Sequence, residues 1–293
     1  MKPRNILFLI AYAIALTGIS LWMGQVSYSW FPPQASAESV LIDKLFAFLV
    51  TIGSFIFLGI TGVMIYSVVF QRAAKYDFSD GPHIEGNVTL EIVWTAIPIL
   101  LVFWLAGYSY QIYQQMAIRG PMEVMHLAMG HDNTSAVVEE QPIEEIEVIS
   151  KQWAWVFRYP DSNVTSTELH LPANQRIRLA LQSEDVLHGF YIPAFRLKQD
   201  IVPNQTTDFE FTPIREGTYR LRDSQFSGTY FATMQANVVV ESPEAYENWL
   251  SEAKKRQPLP AYNQAASEYA QKTTKTGWPT VVPAAPPIVN YPT

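Results

Sequence analysis

Residues 175–181 read Gln-Arg-Ile-Arg-Leu-Ala-Leu and alternate polar with apolar side chains; residues 207–211, Thr-Asp-Phe-Glu-Phe, repeat the pattern. Alternation with a period of two places the apolar side chains on one face of a β-strand, so both stretches predict half-buried strands. Between residues 146 and 241, runs of this kind are separated by turn residues at Pro160-Asp161, Pro172-Ala173-Asn174, Pro203-Asn204 and Glu216-Gly217. About seven short strands at this spacing predict an antiparallel, all-β sandwich or barrel.

Three stretches before this region are long, apolar and uncharged. Ile6–Met23 has 18 residues, Leu45–Phe70 has 26 and Ile92–Ile112 has 21. About 20 helical residues cross a hydrocarbon layer of about 30 Å, so the second and third stretches predict a transmembrane helical hairpin. The first is either a retained anchor or a signal peptide, because Lys2 precedes it and Ala35-Ser36-Ala37 resembles a signal-peptidase site. Its length favours the anchor.

Basic residues indicate how these helices are oriented. Lys2 and Arg4 precede the first stretch, and Arg72 and Lys75 follow the second. Short basic flanks stay in the cytoplasm, so the chain after Ile112 is expected outside it. We therefore predict an N-terminal membrane anchor or signal segment, a two-helix hairpin, an acidic connector, an extracytoplasmic β-domain and an extended tail, over residues 1–24, 40–115, 116–145, 146–250 and 251–293.

Composition excludes several kinds of site and partner. The 293 residues include no cysteine, which excludes disulfides, iron–sulfur clusters and thiolate metal sites. Residues 116–250 hold 10 lysine and arginine residues against 19 aspartate and glutamate residues, a net charge of −9. An acidic surface keeps an exposed domain soluble and repels phosphate backbones, so nucleic acid is not an expected partner.

Four segments in this order and spacing resemble subunit II of haem–copper terminal oxidases. They are Leu90–Pro98 (LEIVWTAIP), Gln152–Trp155 (QWAW), Ser183–His188 (SEDVLH) and Pro193–Asp200 (PAFRLKQD). The three-helix start and the loop of residues 81–87 are most similar to cyanobacterial members. The resemblance implies a membrane hairpin carrying a cupredoxin-like Greek-key sandwich on the periplasmic or lumenal side of a bacterial plasma membrane or cyanobacterial thylakoid membrane.

Residues 219–234 are similar to the copper loop of that family, which runs Cys, three residues, Cys, three residues, His, two residues, Met. Here the four positions hold Asp223, Ser227, Phe231 and Met234. His188 matches a further family ligand upstream of the loop. A binuclear copper centre needs bridging thiolates, so the resemblance implies a degenerate copper site and no metal bound by this chain.

Other residues in these motifs allow two readings each. A single copper on His188 and Met234 lacks the cysteine and second histidine of a blue-copper site, so hydrogen bonding and core packing are favoured for these two residues. Gln225 replaces a family glutamate that serves copper and magnesium, and a neutral amide would bind magnesium more weakly. Trp153 matches the family residue that receives electrons from cytochrome c; with no copper beneath it, a core role for Trp153 and Trp155 is favoured.

Glu91 also has two interpretations. A carboxylate in the first turn of a helix is stabilised by the helix dipole by about 0.3–1 kcal/mol. By resemblance, Glu91 matches the glutamate proposed to feed protons toward the haem–copper site, and ionisable groups at membrane boundaries often serve proton uptake. The sequence leaves both roles open.

The resemblance implies a non-catalytic subunit of a proton-translocating oxidase that reduces dioxygen to water. Subunit I would carry the haems and copper, subunit III is a further expected partner, and membrane lipid surrounds the helices. Without copper in this chain, membrane quinol is the expected electron donor. Two alternatives remain: subunit II of a cytochrome c oxidase without its own copper, and a membrane-anchored interaction or assembly protein.

Overall fold

The computed structural model describes residues 3–72, 76, 86–116, 144–271 and 281–292. The chain forms two compact units, one of residues 1–31 and 41–115 and the other of residues 32–40 and 116–293. Lys2, Lys75, residues 81–85 of the loop and nearly all of the predicted acidic connector lie outside the described residues.

Three long helices carry the apolar stretches: α1 (Pro3–Val26), α2 (Ala37–Phe70) and α3 (Val88–Met116). Each is long and apolar enough to cross a membrane, which confirms the hairpin and adds a third candidate span. The helices extend beyond the uncharged stretches that predicted them. The extra turns of α2 include charged residues such as Glu38 and Lys44, which a helix accommodates when its end reaches the headgroup region.

The β-unit is built from two five-stranded sheets. The first has the order β3-β2-β1-β5-β8 and the second β4-β10-β9-β6-β7. The ten strands are β1 (Glu144–Lys151), β2 (Ala154–Tyr159), β3 (Val164–Ser166), β4 (Leu169–Pro172), β5 (Ile177–Ser183), β6 (His188–Ile192), β7 (Leu197–Ile201), β8 (Thr207–Phe211), β9 (Gly217–Asp223) and β10 (Gln235–Glu241).

Both sheets are mixed, which corrects the prediction of an antiparallel sandwich. β1 runs parallel to β5, and β10 runs parallel to β4, while the other pairs are antiparallel. Parallel neighbours need crossover connections, and here each crossover leaves one sheet and returns after visiting the other. Period-two alternation reports the buried face of a strand but not the direction of its neighbours, so the sequence pattern did not reveal this.

The core lies between the sheets, where the alternating pattern predicted it. Ile177, Leu179 and Leu181 of β5 are all fully buried. Phe211 of β8 and Phe190 of β6 are buried with them in one cluster that spans both sheets. The strand prediction is therefore confirmed at the level of individual side chains.

The predicted extended tail over residues 251–293 is corrected, because its described part is folded. It contains the end of α4 (Pro243–Lys255), α5 (Gln264–Gln271) and a small pair of strands, β11 (Leu259–Pro260) and β12 (Ile288–Val289). α4 buries Tyr246, Leu250 and Ala253 at helical spacing against the sandwich. Two of these three apolar positions come before residue 251. Residues 251–293 alone therefore contain too little of the helix to show its apolar period.

Candidate functional site

The site lies at the end of the second sheet, where β6 and β9 pair. Phe190 stands opposite Asp223 in the register of these strands, so the first residue of β6, His188, lies close to the last residue of β9. The loop of residues 224–234 leaves β9 here and returns to β10. The backbone N–H of Asp223 donates to the carbonyl oxygen of Met234 at 3.1 Å, which closes this loop at its base.

His188 is completely buried and held between two carboxylates. Its Nδ1 lies 2.7 Å from Oδ2 of Asp223, and its Nε2 lies 3.0 Å from Oδ1 of Asp185. An ionised carboxylate only accepts hydrogen bonds, so contacts to two carboxylates favour a ring that is protonated on both nitrogens. Burial acts to lower the pKa of His188, but the hydrogen bonds to Asp223 and Asp185 outweigh it and raise this pKa.

Asp223 accepts a full set of hydrogen bonds. Oδ2 receives them from His188 and from Oγ of Ser227 at 2.8 Å, and Oδ1 receives them from the backbone N–H groups of Gly189 at 2.8 Å and Gln225 at 3.0 Å. Burial acts to raise the pKa of Asp223, yet these four bonds together lower it. The two oxygens of a carboxylate offer about four lone-pair sites, and all four are occupied here.

Asp185 is a member of the site that sequence reasoning missed. Besides His188, its oxygens accept from the backbone N–H groups of Gln152 at 2.7 Å and Val186 at 2.7 Å. Asp185 thus ties β6 to the turn between β1 and β2. The available signal was the spacing in Asp185-Val186-Leu187-His188, because a carboxylate three residues before a buried histidine is placed to bond its ring.

The loop closes over two buried tryptophans. The carbonyl oxygen of Ser227 accepts from Nε2 of Gln152 at 2.6 Å and from Nε1 of Trp153 at 3.2 Å, while Nε1 of Trp155 donates to Met234 at 3.2 Å. Trp153 is only 2% exposed and Trp155 only 3%. Both tryptophans are therefore core residues whose indole N–H groups bind the backbone of the loop.

A glycine allows this close approach of the loop to Trp153. Gly228 has φ +115°, which side chains disfavour, and a Cβ there would lie 2.8 Å from Cζ2 of Trp153 and 3.2 Å from Nε2 of Gln152. Any larger residue at position 228 would push the loop away from the tryptophan.

The structure brings together only part of the set that the sequence singled out. His188, Asp223 and Ser227 meet in one network, and Met234 is buried beside them at 1% exposure. The side chain of Gln225 instead donates to Asp200 at 2.9 Å.

Phe231 lies apart from this network. Its half-buried ring packs edge-on against the ring of Phe226, with 5.2 Å between the ring centroids. Phe226 is 78% exposed. Within the described residues, no group of three or more His, Asp or Glu side chains is arranged to hold a metal ion.

Glu91 belongs to the other compact unit, in the first turn of α3. Asn87 caps this helix: its Oδ1 accepts from the N–H of Leu90 at 3.2 Å, and its carbonyl accepts from the N–H of Glu91 at 2.9 Å. The carboxylate of Glu91 is exposed and lies over Gly86, where Oε1 would be 2.7 Å from an added Cβ. This position suits the helix dipole and leaves the proton-uptake prediction untested.

Comparison with known families gives two matches, one that covers most of the helical region and one within the β-unit. Residues 20–112 match the family described as cytochrome c oxidase subunit II, transmembrane domain, and residues 163–242 match its periplasmic domain.

Whole-chain comparisons give relatives of two kinds. Cytochrome c oxidase subunit 2 of Synechocystis is 33% identical over 278 residues, covering 86% of this chain and 83% of the relative. The same subunit of Thermostichus vulcanus is 35% identical over 281 residues, covering 84% and 85%. Quinol oxidase subunit 2 of Bacillus subtilis is 24% identical over 263 residues, covering 88% and 74%.

Among solved structures, the periplasmic domain of subunit II of cytochrome oxidase from Bradyrhizobium japonicum is 26% identical. The match covers 41% of the present chain and 98% of the solved domain, with a TM-score of 0.38.

Proposed function

Because the chain belongs to the cytochrome c oxidase subunit II family, we propose that it is subunit II of a respiratory haem–copper terminal oxidase that takes its electrons from membrane quinol. The chain is an integral membrane protein, and its β-sandwich is the periplasmic domain of the family. In this proposal subunit I carries the haems and copper and reduces dioxygen to water. This chain and subunit III complete a proton-translocating complex without contributing catalytic residues.

The observation that carries the proposal is the saturated carboxylate of Asp223. It stands at a position where the family has a copper-bridging cysteine, and each of its lone-pair sites already accepts a hydrogen bond. Each ring nitrogen of His188 already faces a carboxylate within hydrogen-bond distance, whereas a histidine ligand needs a nitrogen free to face the metal. A binuclear copper centre therefore does not fit this donor set.

The charges of the same residues also oppose copper binding. His188 and Asp223, two positions at which the family has ligands, are in buried contact at 2.7 Å. The contact favours a protonated, positive ring where the family has a neutral, metal-bound histidine. Bringing copper here would require removing a proton from the ring and breaking the bonds of Asp223, both in a site shielded from water. The desolvation of the unpaired groups would oppose metal binding.

Without a metal in this chain, a soluble donor has no relay through the sandwich to subunit I. A quinol diffuses within the bilayer and can reach subunit I directly. The kinship to quinol oxidase subunits is compatible with this donor, but the proposal rests on the donor set of the site.

A second candidate function has one observation in its favour. The net charge of −9 over residues 116–250 would attract a cationic soluble cytochrome. In that case the chain would be subunit II of a cytochrome c oxidase without its own copper, and electrons would have to cross the sandwich without a metal relay.

Two measurements test the proposal. Metal analysis of the isolated subunit should find no stoichiometric copper, and the near-infrared absorption of a mixed-valence copper pair should be absent. The matched variant is the triple change Asp223→Cys, Ser227→Cys and Phe231→His, which restores the family ligand set and should gain copper. About two coppers in the unaltered subunit would contradict the proposal.

The donor is tested by oxygen uptake of the purified oxidase from low to high salt. Quinol oxidation should be robust and vary little with ionic strength, because a membrane donor is not steered by surface charge. A cationic cytochrome drawn to the acidic domain would lose rate as salt rises, since screening acts within about 8 Å at physiological ionic strength. Salt-sensitive uptake with cytochrome c and negligible uptake with quinol would favour the second candidate.

A further inference from the structure

The segment that joins the first two membrane helices, together with the first turn of α2, is folded into the β-unit. Residues 32–40, which we term the N-terminal strap, belong to the same compact unit as the sandwich. Within the strap, Ser36 forms an antiparallel bridge with Pro213, two residues beyond the end of β8. The strap contains Ala35-Ser36-Ala37, the motif that resembles a signal-peptidase site.

Backbone hydrogen bonds fix the strap in place. The N–H of Ala35 donates to Ala194 at 3.1 Å, its carbonyl accepts from the N–H of Ile214 at 2.9 Å, and the N–H of Ala37 donates to Thr212 at 3.0 Å. The side chain of Ala35 has no exposed area and forms part of the hydrophobic core of the sandwich. A small residue is required here because the position is fully enclosed.

Ser36 has two structural roles that explain its identity. Its Oγ donates to the carbonyl of Phe195 at 3.1 Å and accepts from the N–H of Ser39 at 3.0 Å. The second bond is an N-cap, because Ser39 lies in the first turn of α2. Ser39 completes the cap by donating from its own Oγ to the carbonyl of Ser36 at 2.6 Å.

The helix before the strap packs closely on α2. The hydroxyl of Tyr12 lies 3.0 Å from the carbonyl oxygen of Leu58 and 3.1 Å from that of Gly59. A Cβ on Gly24 would collide with Oγ1 of Thr51. Small residues that bring two backbones together, with a polar side chain bonding across, are typical of stable helix pairs in membranes.

From these two observations we propose that α1 is a permanent third membrane helix and that Ala35-Ser36-Ala37 is a structural joint, not a processing site. Cleavage after Ala37 would remove the three strap hydrogen bonds, the cap of α2 and the core side chain of Ala35. It would also release α1 from the surface of α2 that it covers. The small residues of the motif are present because the joint is tight.

The proposal is tested first by the intact mass of the subunit in the oxidase purified from membranes. A subunit that keeps α1 has a mass near the 33.2 kDa of the full chain. A mature N-terminus at Glu38 in the assembled complex would overturn the proposal. This measurement is independent of the electron donor and of the metal content.

A pair of glycine variants in α1 tests the packing separately. Gly24→Val places a side chain against Thr51, while Gly18→Val is the matched control because no other described atom lies within 4 Å of a Cβ there. Gly24→Val should lower the yield and the thermal midpoint of the assembled oxidase, and Gly18→Val should leave both unchanged. Equal behaviour of the two variants would overturn the packing.

A milder change tests the same packing if the Gly24→Val chain does not accumulate in cells. Tyr12→Phe removes only the hydroxyl that reaches α2 and keeps the apolar ring. It should assemble with a lowered thermal midpoint. An unchanged midpoint would show that the cross-helix contact contributes nothing and would count against the proposal.

Discussion

Replacing Asp223 with asparagine should destabilise the β-unit strongly while preserving the shape of the side chain. The change removes the negative charge that faces the ring of His188 at 2.7 Å and places an amide where four donors now converge. Removing one partner of a buried ion pair costs about 3–5 kcal/mol. We expect about 3 kcal/mol, the lower end of that range, because Asp185 still pairs with His188 at 3.0 Å.

The loss should depend on pH in a defined way. The pKa of His188 is raised above its ordinary 6.5, so its contribution to stability is complete below that value and is lost as pH rises through the raised pKa. The pKa of Asp223 is lowered from 3.8, so its contribution is present above that value and is lost as pH falls through the lowered pKa. The difference in free energy of unfolding between wild type and variant should therefore be largest between pH 3.8 and pH 6.5. It should shrink as the pH rises through the raised pKa of His188.

The assay is denaturant unfolding of the purified protein across that pH range, followed by tryptophan fluorescence, since the ring of Trp155 lies 6.2 Å from that of His188. The matched control is Glu184→Gln, which breaks an exposed pair with Lys151 at 3.0 Å. An exposed pair contributes at most about 1 kcal/mol. A loss for Asp223→Asn that is no larger than for this control, or that does not vary with pH, would refute a stabilising ion pair between Asp223 and His188.

Three smaller changes probe other contacts. Gly228→Ala should cost about 1–3 kcal/mol, because φ +115° is strained for alanine and the Cβ meets Trp153, and it is measured by unfolding. Ser242→Ala should cost about 1 kcal/mol in the same assay, because Ser242 caps α4 by accepting from the N–H of Ala245. Glu91→Gln should slow oxygen uptake without changing assembly or haem spectra if Glu91 takes up protons; unchanged uptake would return it to a helix-dipole role.

Much of the fold was accessible from the sequence because its signals are local. The alternation through Ile177, Leu179 and Leu181 reports directly which face of β5 is buried. The uncharged stretches likewise report the membrane helices through length alone. Neither signal carries information about partners distant in the chain, so the parallel pairing of β1 with β5 had to come from the structure.

Some positions of the site were predictable from the sequence, but its hydrogen-bond network was not. The spacing of the loop located Asp223 and Ser227, and hydrogen bonding was the favoured role for His188, but the sequence did not show which residues it bonds. The contact of His188 with Asp223 at 2.7 Å depends on the register of β6 with β9, and the third partner, Asp185, lies outside the loop. A buried carboxylate such as that of Asp223 requires hydrogen bonds or a counter-charge nearby, and here His188 lies in that position.

The persistence of His188 in a site without thiolates has a physical reason in this network. Asp223 is buried, and a buried carboxylate without a counter-charge is costly, so the aspartate depends on the histidine. The histidine depends equally on the aspartate, because its ring is fully buried and both of its nitrogens lie within hydrogen-bond distance of carboxylates. In our proposal the ion pair joins β6, β9 and the loop, as a copper centre would, but it does not transfer electrons. The same interdependence predicts that His188→Ala and Asp223→Ala together cost less than the sum of the two single changes.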